Sequence, residues 1–313
     1  METTDHILLV TEILKKNFNE QPIRIERMTV GIMNEVYLAD FPNRKVVVRM
    51  NTDEKKLLGT AKNIALFASL GIKVPEILAS DYTKNEVPYA YQILTYLEGK
   101  DLIEVIKDMT DEELKALAKE TANIFKKLSK VPTNGKFGWV GADESGTVDS
   151  WAKIMRADKI EERNKQTGAV GDELMQKEKE LYETYTPYFN SVKSTFYFDD
   201  MSSKNILVHE GKFSGLIDLD DVMYGDPLET IGSIKASWCG SHNGDLYANA
   251  VQDELGLNAE QRKMVTVYAI FNRTLWLSER GIKFNENTKA EIDWDKVDED
   301  KRIINGLFAE LQK

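Results

Sequence analysis

The stretch from Thr195 to Pro227 constrains the rest of the chain most. Two short runs of β-branched and apolar residues, Asn205-Ile206-Leu207-Val208 and Ser214-Gly215-Leu216-Ile217, are separated by His209-Glu210-Gly211-Lys212 and Phe213, a pattern that predicts a β-hairpin. Asp199 and Asp200 precede the first run, Asn205 opens it, and Asp218, Asp220 and Asp221 follow the second. Hairpin strands run antiparallel, so Asn205 and Asp218 are expected at the same end. Taken singly, each acid reads as an ordinary surface turn residue. Taken together they are a set of hard oxygen donors. Such a set suits Mg²⁺, which uses one or two protein carboxylates and completes its shell with water and substrate phosphates.

The spacing narrows this further. Asp200 stands five residues before Asn205, and Asn205 stands thirteen before Asp218. Protein kinases use the same order of catalytic-loop Asp, metal-binding Asn and later metal-binding Asp. The chain resembles the aminoglycoside phosphotransferase and choline kinase family, the small-molecule branch of the kinase fold. The loop of that family reads His-x-Asp-x-x-x-x-Asn, followed by Ile-Asp-Phe-Asp or Glu and by Gly-Asp-Pro. Here the segments are Phe198-Asp199-Asp200 with Asn205, Ile217-Asp218-Leu219-Asp220, and Gly225-Asp226-Pro227. Phe198 replaces the usual His, which mostly supports the loop. The resemblance implies an α+β, protein-kinase-like bilobal fold. Residues 1–97 would form a small antiparallel-sheet lobe that binds nucleotide, and residues 98–313 a larger, mostly helical lobe with the catalytic loop and acceptor site.

By the same resemblance Asp200 accepts or orients the hydroxyl proton of the acceptor, while Asn205 and Asp218 hold Mg²⁺ against the phosphates of ATP or GTP. Arg49 ends Val46-Val47-Val48-Arg49, where kinases place a phosphate-binding Lys, and its planar fork suits bidentate phosphate contact. The plain alternative is an Arg at the exposed end of an edge strand. The segment Gly31-x-x-Asn34-x-x-Tyr37 resembles the family's Gly-Gly-x-x-Asn-x-x-Tyr with one glycine fewer, which assigns Gly31 and Asn34 to the nucleotide. Glu98-Gly99-Lys100-Asp101-Leu102 matches the segment after the hinge, so the backbones of Thr95 and Leu97 would meet the adenine edge.

A helix over Asp53 to Leu70 precedes Gly71-Ile72-Lys73-Val74-Pro75, similar to the family's Gly-Ile-x-Val-Pro. The Glu that such a helix gives to the strand cation should fall near Gly59-Thr60-Ala61-Lys62, where no acid stands, and Glu54 lies nearly two turns too early. Arg49 therefore takes an acid from elsewhere or is held by phosphates alone. Lys204, beside Asn205, is either a contact to the γ-phosphate or a solvated lysine.

Elsewhere the chain punctuates itself. Helical periodicity covers Asp5 to Phe18, and strands are predicted over Ile23–Met28, Glu35–Ala39, Lys45–Met50 and Tyr89–Leu97. Thr110 and Glu113 form a capping box ahead of a core helix. Further helices are predicted over Trp151–Arg163, over Asp172–Tyr185, and from Asn258 to Arg280, ending at Gly281.

No apolar run approaches the ~18 residues a membrane span needs, and the first residues lack the pattern of a secretion signal, so a cytoplasmic protein is expected. The single Cys239 and the scattered His6, His209 and His242 exclude a multi-cysteine zinc site. A net charge of −11 argues against nucleic acid as a partner.

The resemblance also places Asp226, Trp238, Asp245, Glu254, Trp276 and Glu279 near the acceptor. Their acids, in a chain with 52 acidic and 41 basic residues, favour a cationic hydroxyl compound of the aminoglycoside type. The two tryptophans keep a choline-like acceptor open. Two other classes compete with the kinase reading: a nucleotide-binding pseudokinase, suggested by Phe198, the lone Gly31 and the missing helix acid, and a metal-dependent phosphoester hydrolase built on Asp218 to Asp221.

Overall fold

Alternating burial along three neighbouring strands builds the first sheet. The computed structural model describes residues 3–28, 33–143, 145–284 and 288–312, so Gly31 lies outside the described residues. The chain divides into two units. The first contains α1 (Thr3–Phe18), β1 (Arg24–Met28), β2 (Glu35–Asp40), β3 (Lys45–Asn51), α2 (Glu54–Ser69), β4 (Ile77–Asp81) and β5 (Ala90–Thr95). Its strands form one antiparallel sheet in the order β1-β2-β3-β5-β4.

Val10, Ile13 and Leu14 of α1 pack with Tyr37, Ala39, Val46, Val48, Met50, Tyr91 and Ile93 of the strands into one core. The helix stripe and the strand alternation thus cover each other's apolar faces. Because β3 is the middle strand, Arg49 sits opposite Val36 and Gln92 and is only 5% exposed. An edge-strand arginine is therefore not what the chain has. Asp53 caps α2 by accepting from the Lys55 N–H at 3.1 Å, and Gly71, at φ 65°, follows the helix end.

Residues 141–143 and 215–220 also belong to this unit. A boundary drawn by sequence position alone would leave Asp218 on the other side. The second of these segments is held by a close backbone approach. The Leu216 N–H donates to the Lys73 carbonyl at 2.9 Å, and a Cβ on Gly215 would lie 2.6 Å from Leu97 Cδ1 and 3.1 Å from Lys73 O. Only glycine leaves room for that contact.

The second unit, residues 99–140, 144–214 and 221–313, begins with β6 (Lys100–Asp101), α3 (Leu102–Val105), a short 3₁₀ turn and α4 (Asp111–Leu128). There follow β7 (Gly138–Trp139), α5 (Trp151–Ile154), α6 (Asp158–Thr167), α7 (Asp172–Ser191), β8 (Thr195–Phe198), β9 (Ile206–His209), β10 (Lys212–Leu216) and β11 (Val222–Gly225). The unit ends with α8 (Leu228–Trp238), α9 (His242–Leu255), α10 (Ala259–Ser278) and α11 (Trp294–Leu311). The capping boxes Thr110/Glu113 and Asn258/Gln261 are both present. The helix expected from Trp151 to Arg163 is broken at 155–157, and that from Asp172 runs past Tyr185 to Ser191 with Pro187 inside it. Helices α8 and α10 cross closely at Gly232, where a Cβ would stand 2.5 Å from Tyr268 Cβ.

The hairpin read from the sequence is β9 and β10, neighbours in the sheet β10-β9-β6. Glu210 (φ 48°) and Gly211 (φ 71°) connect them, the two left-handed residues of the tight hairpin turn that matches strand twist. The chain then passes from the second unit into the first at residue 215 and returns at Asp221. Among the described residues no helix is long and apolar enough to cross a membrane.

Candidate active site

In the first unit, β3 carries Arg49 to the segment that follows β10. Its Nη2 donates to Asp218 Oδ1 at 2.8 Å and to Asp220 Oδ2 at 2.7 Å. Asp220 gathers two further donors: Asn34 Nδ2 reaches Oδ2 at 2.7 Å, and the Thr60 hydroxyl of α2 reaches Oδ1. Asn51 Nδ2 supports Asn34 Oδ1 at 2.9 Å, and Asn63 Nδ2 holds the Leu219 carbonyl at 2.8 Å. Asp218 adopts φ 54°, a left-handed conformation that Asp tolerates better than most residues and that occurs often at functional sites.

The two acids differ in their surroundings. Burial works to raise the Asp220 carboxyl, but the Arg49 charge and the hydrogen bonds from Thr60, Asn34 and Arg49 outweigh it and hold Asp220 below the ordinary carboxylate range. In Asp218 burial raises the carboxyl more than Arg49 lowers it, and the neighbouring Asp220 adds to the rise. Its side chain nonetheless keeps 47% of its surface open, against 16% for Asp220. The carboxylate is desolvated by surrounding protein mass while one face stays reachable, and open surface is what governs access by a ligand. Glu54 takes no part in this cluster and pairs with Lys84 at 2.5 Å.

In the second unit, Asn205 folds its amide back on Asp200. Nδ2 donates to Asp200 Oδ2 at 2.7 Å and to the Asp200 carbonyl at 2.9 Å. The loop between them is pinned where Ile103 N–H meets the Ser203 carbonyl at 3.0 Å. On its other flank Asp199 N–H meets the Asp221 carbonyl at 2.8 Å, and the Thr230 hydroxyl meets the Phe198 and Asp199 carbonyls at 3.1 and 3.3 Å. These bonds give the loop rigidity without the histidine. Phe198 is buried beneath it, and β8 and β11 pair Phe198 with Val222. Asp199 and Glu229 bond to each other through their carboxyls. Burial, with the neighbouring Glu229 charge, raises the Asp199 carboxyl well above the usual range, and burial raises the Glu229 carboxyl as well.

Other expected site residues have varied surroundings. The Thr95 N–H is committed to the Glu76 carbonyl at 2.9 Å, while Leu97 lies against Gly215. Asp226, expected beside the acceptor, is 6% exposed and accepts from Tyr188 and Tyr268 hydroxyls at 2.7 and 2.8 Å. It ties α7 and α10 to the start of α8, so its carboxylate belongs to the core. Glu279 is paired with Arg163 at 3.0 Å, and Trp238 buries an indole N–H that has no acceptor among the described residues. Asp245 and Glu254 are exposed on α9, Trp276 is half-buried, and Lys204 is exposed.

Thr60 and Asp220 are the partners that sequence reasoning missed. The absence of an acid in the Gly59-Thr60-Ala61-Lys62 stretch of α2 was the signal that Arg49 takes its acid from elsewhere or meets phosphates alone.

A small antiparallel sheet with its helix in one unit and a helical framework carrying the Asp-Asn loop in the other define a protein-kinase-like fold. A sequence profile of the phosphotransferase enzyme family matches residues 24–264, and the chain belongs to that family. By class it is a small-molecule phosphotransferase. No curated protein sequence matches the chain.

Solved structures share its fold. One is a thermostable mutant of the aminoglycoside phosphotransferase APH(4)-Ia with ADP and hygromycin B, at TM-score 0.70 and 17% identity over 97% of this chain and 98% of that one. Another is APH(2")-IIIa with GDP and kanamycin, at 0.72 and 16% over 97% and 99%. A third is a putative fructosamine-3-kinase from Haemophilus somnus, at 0.61 and 15% over 95% and 96%.

Proposed function

We propose that the protein transfers the γ-phosphoryl group of ATP or GTP to a hydroxyl of a small, cationic acceptor of the aminoglycoside type, in the cytoplasm. The observation that carries this reading is the clamp of Asn205 on Asp200. It fixes the Asp200 carboxylate within a short loop and commits the amide nitrogen of Asn205, so that the oxygen is the group Asn205 offers to a cation.

The donor chemistry fits Mg²⁺. Asn205 and Asp218 would each lend one hard oxygen. A few protein oxygens completed by phosphates and water are what Mg²⁺ prefers. When bound, the ion would neutralise charge on the phosphates. Asp200 would accept or orient the acceptor's hydroxyl proton, and Arg49 would meet the α- and β-phosphates. Positioning and electrostatics of this kind supply most of the catalysis in phosphoryl transfer.

Residues 1–97, together with 215–220, would act as the nucleotide-binding lobe. There Asn34 and Gly31 would serve the phosphates, and the Thr95 carbonyl and the Leu97 backbone the base. The aminoglycosides in two related structures and the acidic balance of the chain support a cationic acceptor. Exposed Asp245 and Glu254, with Trp238, Trp276 and Glu279, are its candidate contacts. The test is thermal shift with Mg-ATP and Mg-GTP, followed by release of the nucleoside diphosphate across a panel of hydroxylated amines. A shift with turnover on an amine supports the reading, and turnover confined to neutral or anionic alcohols contradicts the acceptor class.

A further inference from the structure

We propose that Asp220, gripped by Thr60 and Asn34, is the positioning residue for Arg49, replacing a carboxylate on α2 and leaving Asp218 as the acid with an open face. The inference rests on the phosphotransferase reading only for the use made of Arg49.

The cluster is one of matched parts. Three side chains converge on the two Asp220 oxygens, namely Arg49 and Asn34 on Oδ2 and Thr60 on Oδ1. A carboxylate that accepts several hydrogen bonds, one of them from a guanidinium, is held in one orientation. Thr60 is buried on α2, in the stretch where a helix acid would otherwise reach the strand cation. A hydroxyl there serves Asp220, whereas a second carboxylate would repel it. The Leu219 carbonyl, held by Asn63 of the same helix, fixes the backbone beside Asp220. The acid has thus moved from the helix to the segment after β10, and α2 has kept only neutral donors that hold it there.

The choice of cation follows. A planar guanidinium meets a carboxylate in a fixed geometry that the point charge of a lysine does not impose. Arg49 Nη2 donates to both acids, but Asp220 has little open surface and three side-chain donors, which suits the anchoring role, whereas Asp218 is almost half open, which suits a ligand. The two acids of the Asp-x-Asp segment therefore have separate duties.

The experiment moves the charge back. Calorimetric binding of ADP without Mg²⁺ removes the metal ligands from the measurement. Asp220→Asn should weaken ADP about tenfold, the loss expected when a charge-assisted contact orienting the phosphate-binding cation goes. Thr60→Glu alone should weaken it as well. The double variant Thr60→Glu/Asp220→Asn should recover to within about threefold of the starting protein, because a carboxylate again faces Arg49. A double variant no better than Asp220→Asn overturns the proposal.

A second measurement does not depend on nucleotide. In denaturation cycles pairing Arg49→Met with Asp220→Asn and with Asp218→Asn, coupling should be larger for Asp220. Equal or larger coupling for Asp218 overturns the proposal. If the unaltered protein binds no ADP, the phosphotransferase reading fails while these cycles still decide the positioning role.

Discussion

Asn205 Nδ2 lies 2.7 Å from Asp200 Oδ2 and 2.9 Å from the Asp200 carbonyl oxygen, closing the loop from Asp200 to Asn205 on itself. The buried amide is thereby tied to the residue proposed to handle the acceptor's proton.

Asn205→Ala should open this loop and remove one proposed oxygen ligand at the same time. Losing a hydrogen bond to a charged group costs about 1.5 to 3 kcal/mol of stability. The Mg²⁺ concentration for half-maximal turnover should rise at least ~10-fold, since one of few protein ligands is gone. Urea denaturation checks the stability loss, and release of ADP or GDP titrated with Mg²⁺ checks the metal requirement. An unchanged Mg²⁺ requirement would remove Asn205 from the metal.

Arg49→Ala should both weaken nucleotide binding and destabilise the fold. A strand-end arginine would have been expendable to the core, but Arg49 is buried on the central strand between two acids. Its loss leaves Asp220 enclosed without a counter-charge, a situation that costs about 3 kcal/mol. Urea denaturation measures it, and an unchanged midpoint would show that the ion pair contributes nothing.

Much of the framework was legible because local patterns encode it. Alternation marked β1 to β3, Thr110 and Glu113 marked the start of α4, and Glu210-Gly211 marked the turn between β9 and β10. The pattern was weaker elsewhere. Strand β4, Ile-Leu-Ala-Ser-Asp, has no clean apolar face, β8 and β11 are short buried runs, and Met155-Arg156-Ala157 breaks a helix without proline or glycine. Thr60 and Asp220 are 160 positions apart, and no period or spacing records such a partnership. Asp226 misled for a related reason, since the tyrosines that draw it into the core come from two distant helices.

Glu178 on α7 gives a pH signature unrelated to catalysis. It is fully buried, neither oxygen has a partner among the described residues, and burial, with Glu161 nearby, pushes its carboxyl up to about 8. The folded state therefore holds a proton that the unfolded chain, titrating at the ordinary 4.5, gives up. Its stabilising share is complete below that value and is lost as pH rises to about 8. Stability should fall by at most about 4 kcal/mol between pH 5 and 8, and Glu178→Gln should flatten the slope. Denaturation midpoints across this window decide it, and a variant as pH-dependent as the parent contradicts the assignment.

A cationic acceptor should show itself in salt. If acids border its site, KM for a hydroxylated amine should rise with ionic strength, because screening sets in over ~8 to 10 Å at physiological salt. A KM indifferent to salt would argue for neutral recognition.

The most direct test of the account is Asp200→Asn on an acceptor that the unaltered protein phosphorylates. The substitution keeps size and the capacity to bond Asn205 while removing the proton acceptor. Turnover should fall at least ~10², the lower range for a positioned base, with nucleotide affinity retained in calorimetry. Turnover close to that of the unaltered protein would contradict the assignment of Asp200 as the catalytic residue.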